Sequence, residues 1–173
     1  MDKLMLRGFT GCLSNGAFVT GTTSTLTTTV TIVPVLDGKF LPTLAAITNQ
    51  AAPTTDYNTG AAFPAIPGGA SVANTPGSGC VAVYGLVNVG GTATVKVVQG
   101  PISRLDMQGN FRYDAPQFPT IPSDFVPFAY QVLKAGATAS ATAIVLGTAS
   151  WNATGYTNVI QNVMQLPSRP QVA

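Results

Sequence analysis

Between Cys80 and Gln99, two runs of β-branched residues meet around a glycine turn, and no other feature constrains the fold as tightly. Val81, Val83 and Gly85 alternate with Ala82, Tyr84 and Leu86; Asn88 to Gly91 interrupts the run; Thr92 to Val98 returns with Val95 and Val97 on one face. A period of two on either side of an Asn/Gly-rich turn specifies an antiparallel hairpin. Ala17 to Val35 repeats the theme. Leu26, Thr28, Val30 and Ile32 form one face against Thr27, Thr29, Thr31 and Val33, so one strand with an apolar side is expected. Asp37-Gly38 then marks a turn before Lys39 to Ile47, while Pro34 and Pro42 belong at strand ends or on an edge.

Further along, Ala129 to Leu133, Ala137 to Leu146 and Tyr156 to Leu166 read as strands, with a turn at Lys134-Ala-Gly136. No helical periodicity lasts longer than two turns. Seven or eight short strands separated by turn signals predict an all-β chain, an antiparallel β-sandwich or jelly roll. The strands fall in one domain over residues 16–166. Residues 1–15 form an N-terminal arm and 167–173 a C-terminal tail. Two long segments inside the domain, 49–79 and 111–128, are rich in Pro and are read as extended loops that contact a partner. The second has Pro116, Pro119, Pro122 and Pro127 among Phe118, Ile121, Phe125 and Phe128. An extended strap with that many large apolar groups must lie against something, either its own sheet or a neighbour.

Charge narrows the function. Only 8% of residues are Asp, Glu, Lys or Arg, against about 25% in ordinary globular proteins. There are eight cations and six anions, all the anions are Asp, and there is no His. A surface made of Thr, Ser, Asn and Gln meets another polypeptide without desolvating many ions. The low charge therefore points to extensive contact surface, with a secreted, hydroxyl-rich β-domain as the plainer alternative. The cations are scattered, so no nucleic-acid partner is expected. No signal peptide and no membrane-spanning run is expected either, since Arg7 and Gly8 end the short apolar start and polar residues break every long uncharged stretch.

Catalysis has little to work with. Without His there is no Ser-His-Asp or Cys-His arrangement. The nearest carboxylates in sequence, Asp106, Asp114 and Asp124, sit beside turn residues, where Asp is a good turn former. No zinc site can close on two cysteines, no calcium loop is spelled out, and no metal or cofactor is expected. Cys12 and Cys80 read as small buried thiols, with a disulfide between them the alternative. Gly77-Ser-Gly79-Cys-Val-Ala82 has dinucleotide-loop spacing but runs from loop into strand, the wrong context. Phe111-Arg112-Tyr113 is a lone aromatic–basic triplet, better suited to packing than to stacking on bases. Asn152-Ala-Thr154 has the pattern of a glycosylation site without a secretion signal to support it.

Several phrases resemble small structural proteins of tailed bacteriophages: Leu105-Asp-Met-Gln-Gly-Asn-Phe111, Ala115-Pro-Gln-Phe-Pro119, Pro127-Phe-Ala-Tyr130, Lys134-Ala-Gly-Ala-Thr-Ala-Ser140, Ser150-Trp-Asn-Ala-Thr-Gly155 and Asn162-Val-Met-Gln-Leu-Pro-Ser-Arg-Pro170. The likeness spans Thr48 to Gln171 and is to head proteins of the decoration or cement type. It implies a jelly-roll-like sandwich, a homotrimer, the major capsid protein as partner, and a place on the capsid surface after assembly in the host cytoplasm. It carries no catalytic or cofactor-binding residue. The expected role is bridging capsid subunits, with a head-fibre or tail-fibre receptor-binding module as the alternative. Interface candidates are Leu4, Met5 and Leu6 in the arm, Phe118, Ile121, Phe125 and Phe128 in the strap, Trp151, and Leu166 and Arg169 at the tail.

Overall fold

A computed structural model describes residues 8–21, 23–69, 76–112, 116–136, 143–151 and 155–171. Leu4, Met5, Leu6, Asp114 and the Asn152-Ala-Thr154 sequon lie outside the described residues. The described chain is all-β, with eleven strands in three antiparallel sheets and no helix.

The Cys80–Gln99 hairpin is the centre of the molecule. β7 (Ser78–Val89) and β8 (Thr92–Gln99) pair from Val89↔Thr92 to Ala82↔Gln99. Gly90 and Gly91 both have positive φ, 57° and 87°, as a type I′ turn requires. β10 (Val126–Ala135) pairs with the other edge of β7, and β11 (Tyr156–Asn162) pairs with β10. Short β9 (Ser103–Arg104) joins the start of β7 at Ser78 and Gly79. β7 is buried from Gly79 through Val87. Both parities of its side chains are apolar, as in a strand covered on both faces.

The first face of this sheet presents Cys80, Ala82, Tyr84, Leu86, Phe128, Ala129 and Leu133. Two three-stranded sheets supply many of the groups that cover it. One orders β1 (Gly11–Cys12), β4 (Pro34–Leu36) and β5 (Lys39–Phe40); the other orders β2 (Phe18–Thr20), β3 (Thr25–Thr28) and β6 (Ile47–Ala51). Phe18 is fully buried, with its ring 4.7 Å from that of Tyr84 and edge-on to Phe128 at 5.6 Å. Leu26, Ile32 and Cys12 fill the same layer. The layering matches a β-sandwich.

The expected single strand over Ala17–Val35 is instead three strands divided between two sheets. Leu26, Thr28 and Ile32 keep the inward phase, but Val30 is exposed where the chain bends after Thr28. The bend is fixed by Thr29 N–H donating to Gly16 O and by Ile47 N–H donating to the Thr28 hydroxyl. The Asp37-Gly38 turn is present, with φ of 47° and 74°, but its return strand stops at Phe40. Leu41 still donates to Pro34 O, and Pro42 follows with no N–H to give.

Two more expectations shift. The strap was expected to reach Phe128, yet β10 already begins at Val126. A register shift between Pro127 and Ala129 absorbs the proline that cannot donate. Residues 137–142 lie outside the described set, so the strand expected over Ala137–Leu146 is visible only at Ile144, which bridges Ile66. That bridge ties the long 49–79 segment to the interior: Phe63 and Ile66 are buried in the first-face core.

Candidate functional site

The second face of the central sheet carries Val81, Val83, Val87, Val98, Tyr130 and Val132. No sheet covers it. Phe125, Phe118, Ile121, Tyr57, Phe111, Val163 and Leu166 do, mostly from irregular chain. The proline-rich strap therefore clasps its own sheet. Phe125 is buried, and its ring lies where a Cβ on Gly85 would sit, so the strand needs glycine there. Phe118 meets Tyr130 edge-on at 5.1 Å.

Polar contacts pin the strap to a neighbouring loop. The Tyr57 hydroxyl donates to Asp124 Oδ2 at 2.6 Å, Asn58 Nδ2 donates to Thr120 O at 2.8 Å, and the Tyr57 ring stacks near Phe125 at 6.1 Å. The hydrogen bond to Asp124, then burial, raises the Tyr57 phenol above its ordinary pKa. At the other end, Gln171 N–H donates to the Tyr130 hydroxyl at 3.0 Å and Pro170 is buried. The tail thus packs back on the body as far as Gln171.

These contacts locate the sequence-derived interface candidates. Phe125, Phe128 and Trp151 are 1%, 0% and 5% exposed, so the chain's own interior takes them and leaves no side-chain surface for a partner. Trp151 reaches inward, its indole N–H donating to Thr25 O at 3.3 Å. Phe118, Ile121 and Leu166 are half-buried against the second face, and Arg169 is exposed. Among the described residues, the large apolar groups most open to solvent are others: Phe40 at 59%, Met164 at 55%, Val89 at 54% and Val19 at 50%. Phe40, Val89 and Val19 sit on short or edge strands and at a hairpin tip, where alternation alone does not say which side faces water.

Several ionisable groups are engaged by the chain itself. Asp56 is buried, accepting from the backbone N–H of Asn58, Thr59 and Gln99. Asp106 accepts from the backbone N–H of Asn110 and Gln108 inside its own turn, and these bonds, Asn110 first, hold its carboxyl below the usual value. Lys96 and Lys134 lie 6.0 and 5.6 Å from the ring centres of Tyr57 and Phe111. Cys12 and Cys80 are separate, buried thiols, each pushed up to about 12 by burial. A thiol so protonated is a poor nucleophile. Among the described residues no three metal-ligating side chains of His, Cys, Asp or Glu come together. The Gly77–Ala82 motif runs straight into β7, with no helix N-terminus to receive a phosphate.

Two features were not legible in the sequence. Asn162 acts as a piece of strand: Phe18 N–H donates to its Oδ1 at 2.6 Å, and its Nδ2 donates to Phe18 O at 3.1 Å. One side chain thereby bonds the central sheet to β2. The other is a groove of about 650 Å³ between the two ends of the described chain, with Phe9, Leu13, Val163, Met164 and Pro167 among its lining. Only the β-rich pattern hinted at either. No family model, curated protein or solved structure matches the chain at a significant level.

Proposed function

We propose that the protein is a virion structural protein that binds the outside of a bacteriophage capsid and bridges neighbouring subunits of the major capsid protein. The observation that supports this best is the chemistry of its outside. The chain has few charges, and it engages Asp56, Asp106, Asp124, Lys96 and Lys134 internally. What remains for contact is a surface dominated by hydroxyls and amides, as on the exposed run Thr48-Asn-Gln50 of β6, with Asp37, Lys39, Arg104, Arg112 and Arg169 dispersed over it and Phe40, Val19, Val89 and Met164 punctuating it. Such a surface loses little hydration energy when another polypeptide covers it. Repetition over a shell multiplies a modest gain per copy.

The reading includes a jelly-roll-like sandwich and a homotrimer, in line with the phrase-level likeness to head decoration proteins. Solution mass measurement followed by imaging of particles with and without the protein tests it. A trimer occupying one repeated capsid position is the expected result. A monomer that leaves capsids bare would overturn it, and saturable binding to host cells or glycans instead would move the protein to the receptor-binding class.

A further inference from the structure

Asn15-Gly16 is the only Asn-Gly step in the chain. Asn15 is exposed on the connection between β1 and β2, and Gly16 after it is buried. The Asn15 side chain folds over the intervening peptide, with Oδ1 accepting from Ala17 N–H at 2.9 Å. The ring closed by this bond contains the Gly16 nitrogen, so the carboxamide carbon is held beside that nitrogen. Glycine brings no side chain to obstruct an approach between them. The far side of the peptide is fixed as well. A Cβ on Gly16 would lie 2.5 Å from Ile32 Cδ1, and Gly16 O accepts from Thr29 N–H at 3.2 Å.

Several other asparagines are held in ways that work against the same approach. Asn58, Asn158 and Asn162 each use Nδ2 to donate to a backbone carbonyl, of Thr120, Trp151 and Phe18 respectively, so the nitrogen that would have to leave is engaged. Asn88 Oδ1 accepts from Gly91 N–H, a bond like that at Asn15. Its next residue, however, is Val89, whose branched side chain crowds the nitrogen that would attack.

We propose that Asn15-Gly16 is a site of spontaneous covalent modification, a deamidation through a cyclic imide that the local turn promotes. The Gly16 nitrogen gives up its proton to water or hydroxide and bonds to Asn15 Cγ; the Cγ–Nδ2 bond breaks and ammonia leaves. Water then opens the imide at one of its two carbonyls. Breaking the new bond leaves aspartate. Breaking the original peptide bond leaves isoaspartate, with one more carbon in the main chain. The Ala17 N–H already faces the oxygen on which negative charge builds during the attack. A hydrogen bond of ordinary strength gained in that step is worth up to about tenfold in rate. Either product places a new negative charge beside β2, and isoaspartate also lengthens the link that leads through Gly16 to the buried ring of Phe18. The site does not depend on what the rest of the surface binds.

Ageing the full-length protein at mildly alkaline pH, native and unfolded in guanidinium chloride, tests it. Cleavage after Arg7 and Lys39 releases peptide 8–39, in which Asn15 is the sole amide side chain, so the mass gain of deamidation in that peptide reports this residue. The native protein is expected to convert faster than the unfolded chain, by up to about tenfold, and to give aspartate and isoaspartate forms of the same peptide. The exposed substitution Asn15→Gln, which would have to close a larger ring, is expected to leave the mass of the peptide unchanged over the same period. Native conversion equal to or slower than that of the unfolded chain would show that the turn does not promote the reaction and would overturn the proposal. So would a mass gain that persists at the same rate in Asn15→Gln.

Discussion

The two faces of the central sheet are covered by different means. On the first, β1 to β6 bring their own ladders, and Phe18, Leu26 and Ile32 interlock with Tyr84 and Phe128. On the second, irregular chain lays down Phe118, Ile121, Tyr57 and Leu166, held by a few polar pins. A laddered cover shares backbone hydrogen bonds and moves as a unit. A strap is held by side chains along its length and can lift locally. The comparison predicts that the first face sets global stability and the second sets local opening.

The largest effect is expected at Phe128→Ala. The ring is fully buried against Phe18, and losing it costs about 4 kcal/mol in transfer and cavity terms. Urea denaturation should show a large drop in midpoint with an unchanged slope. The two thiols report on the same face. Their unfolded value is 9.0 and their native value is about 12, so between those pH values the unfolded state binds fewer protons than the native one. Stability is full below pH 9 and falls as pH rises toward 12. A Cys12→Ala/Cys80→Ala variant should flatten that alkaline slope, and a parallel slope would show that the first face is not the one titrating.

Next in size is Asn162→Ala, which leaves Phe18 N–H and C=O without their partner at a part-buried seam. Two lost hydrogen bonds of this kind cost about 2 kcal/mol. If the laddered cover is one cooperative unit, amide exchange should speed up throughout β2 and β3 rather than at Phe18 alone. Phe118→Ala should cost less, about 1.5 kcal/mol, because the ring is only half-buried. Its signature should be local: faster exchange along 116–125, with Cys12 and Cys80 still inert to thiol reagents. Thiol labelling that rises in step with strap exchange would erase the distinction between the faces.

Where the sequence was legible, local chemistry and tertiary structure agreed. The β7–β8 hairpin follows from alternation plus two glycines, and the Asp37-Gly38 turn follows from residues that tolerate positive φ. Legibility ended where a choice depended on distant partners. The alternation through Thr25–Val33 fits one long strand as well as it fits a short one that ends at Thr28; the bend depends on Gly16 and Ile47, which no local pattern names. The aromatic strap had two possible hosts, and only the apolar second parity of β7 decides for its own sheet. The same ambiguity misplaced the contact residues: Phe125, Phe128 and Trp151 suit an interface and a core equally well by composition, and here they are core. The end groove is invisible to any local reading, because it joins residues 9–13 to Tyr130 and to residues 161–171, far apart in the chain.

The smallest effect is expected to be a gain, and it probes how the laddered cover is held in place. Ala17 sits between Gly16, packed against Ile32, and Phe18, buried against Tyr84, and its φ is 44°. Its N–H donates to Asn15 Oδ1, which helps hold the turn. A left-handed conformation costs a residue with a Cβ about 1–2 kcal/mol. Glycine removes that cost but gives back about 0.5–1 kcal/mol through the greater freedom of the unfolded chain. The difference favours Ala17→Gly by about 0.5 kcal/mol. Because the strained residue leads directly into β2, the gain should appear as slower exchange in β2 and β3 and leave the strap unchanged. A destabilised protein would mean that the Ala17 methyl contributes packing worth more than its backbone strain, and that the first cover is tighter at this corner than its hydrogen bonds alone imply.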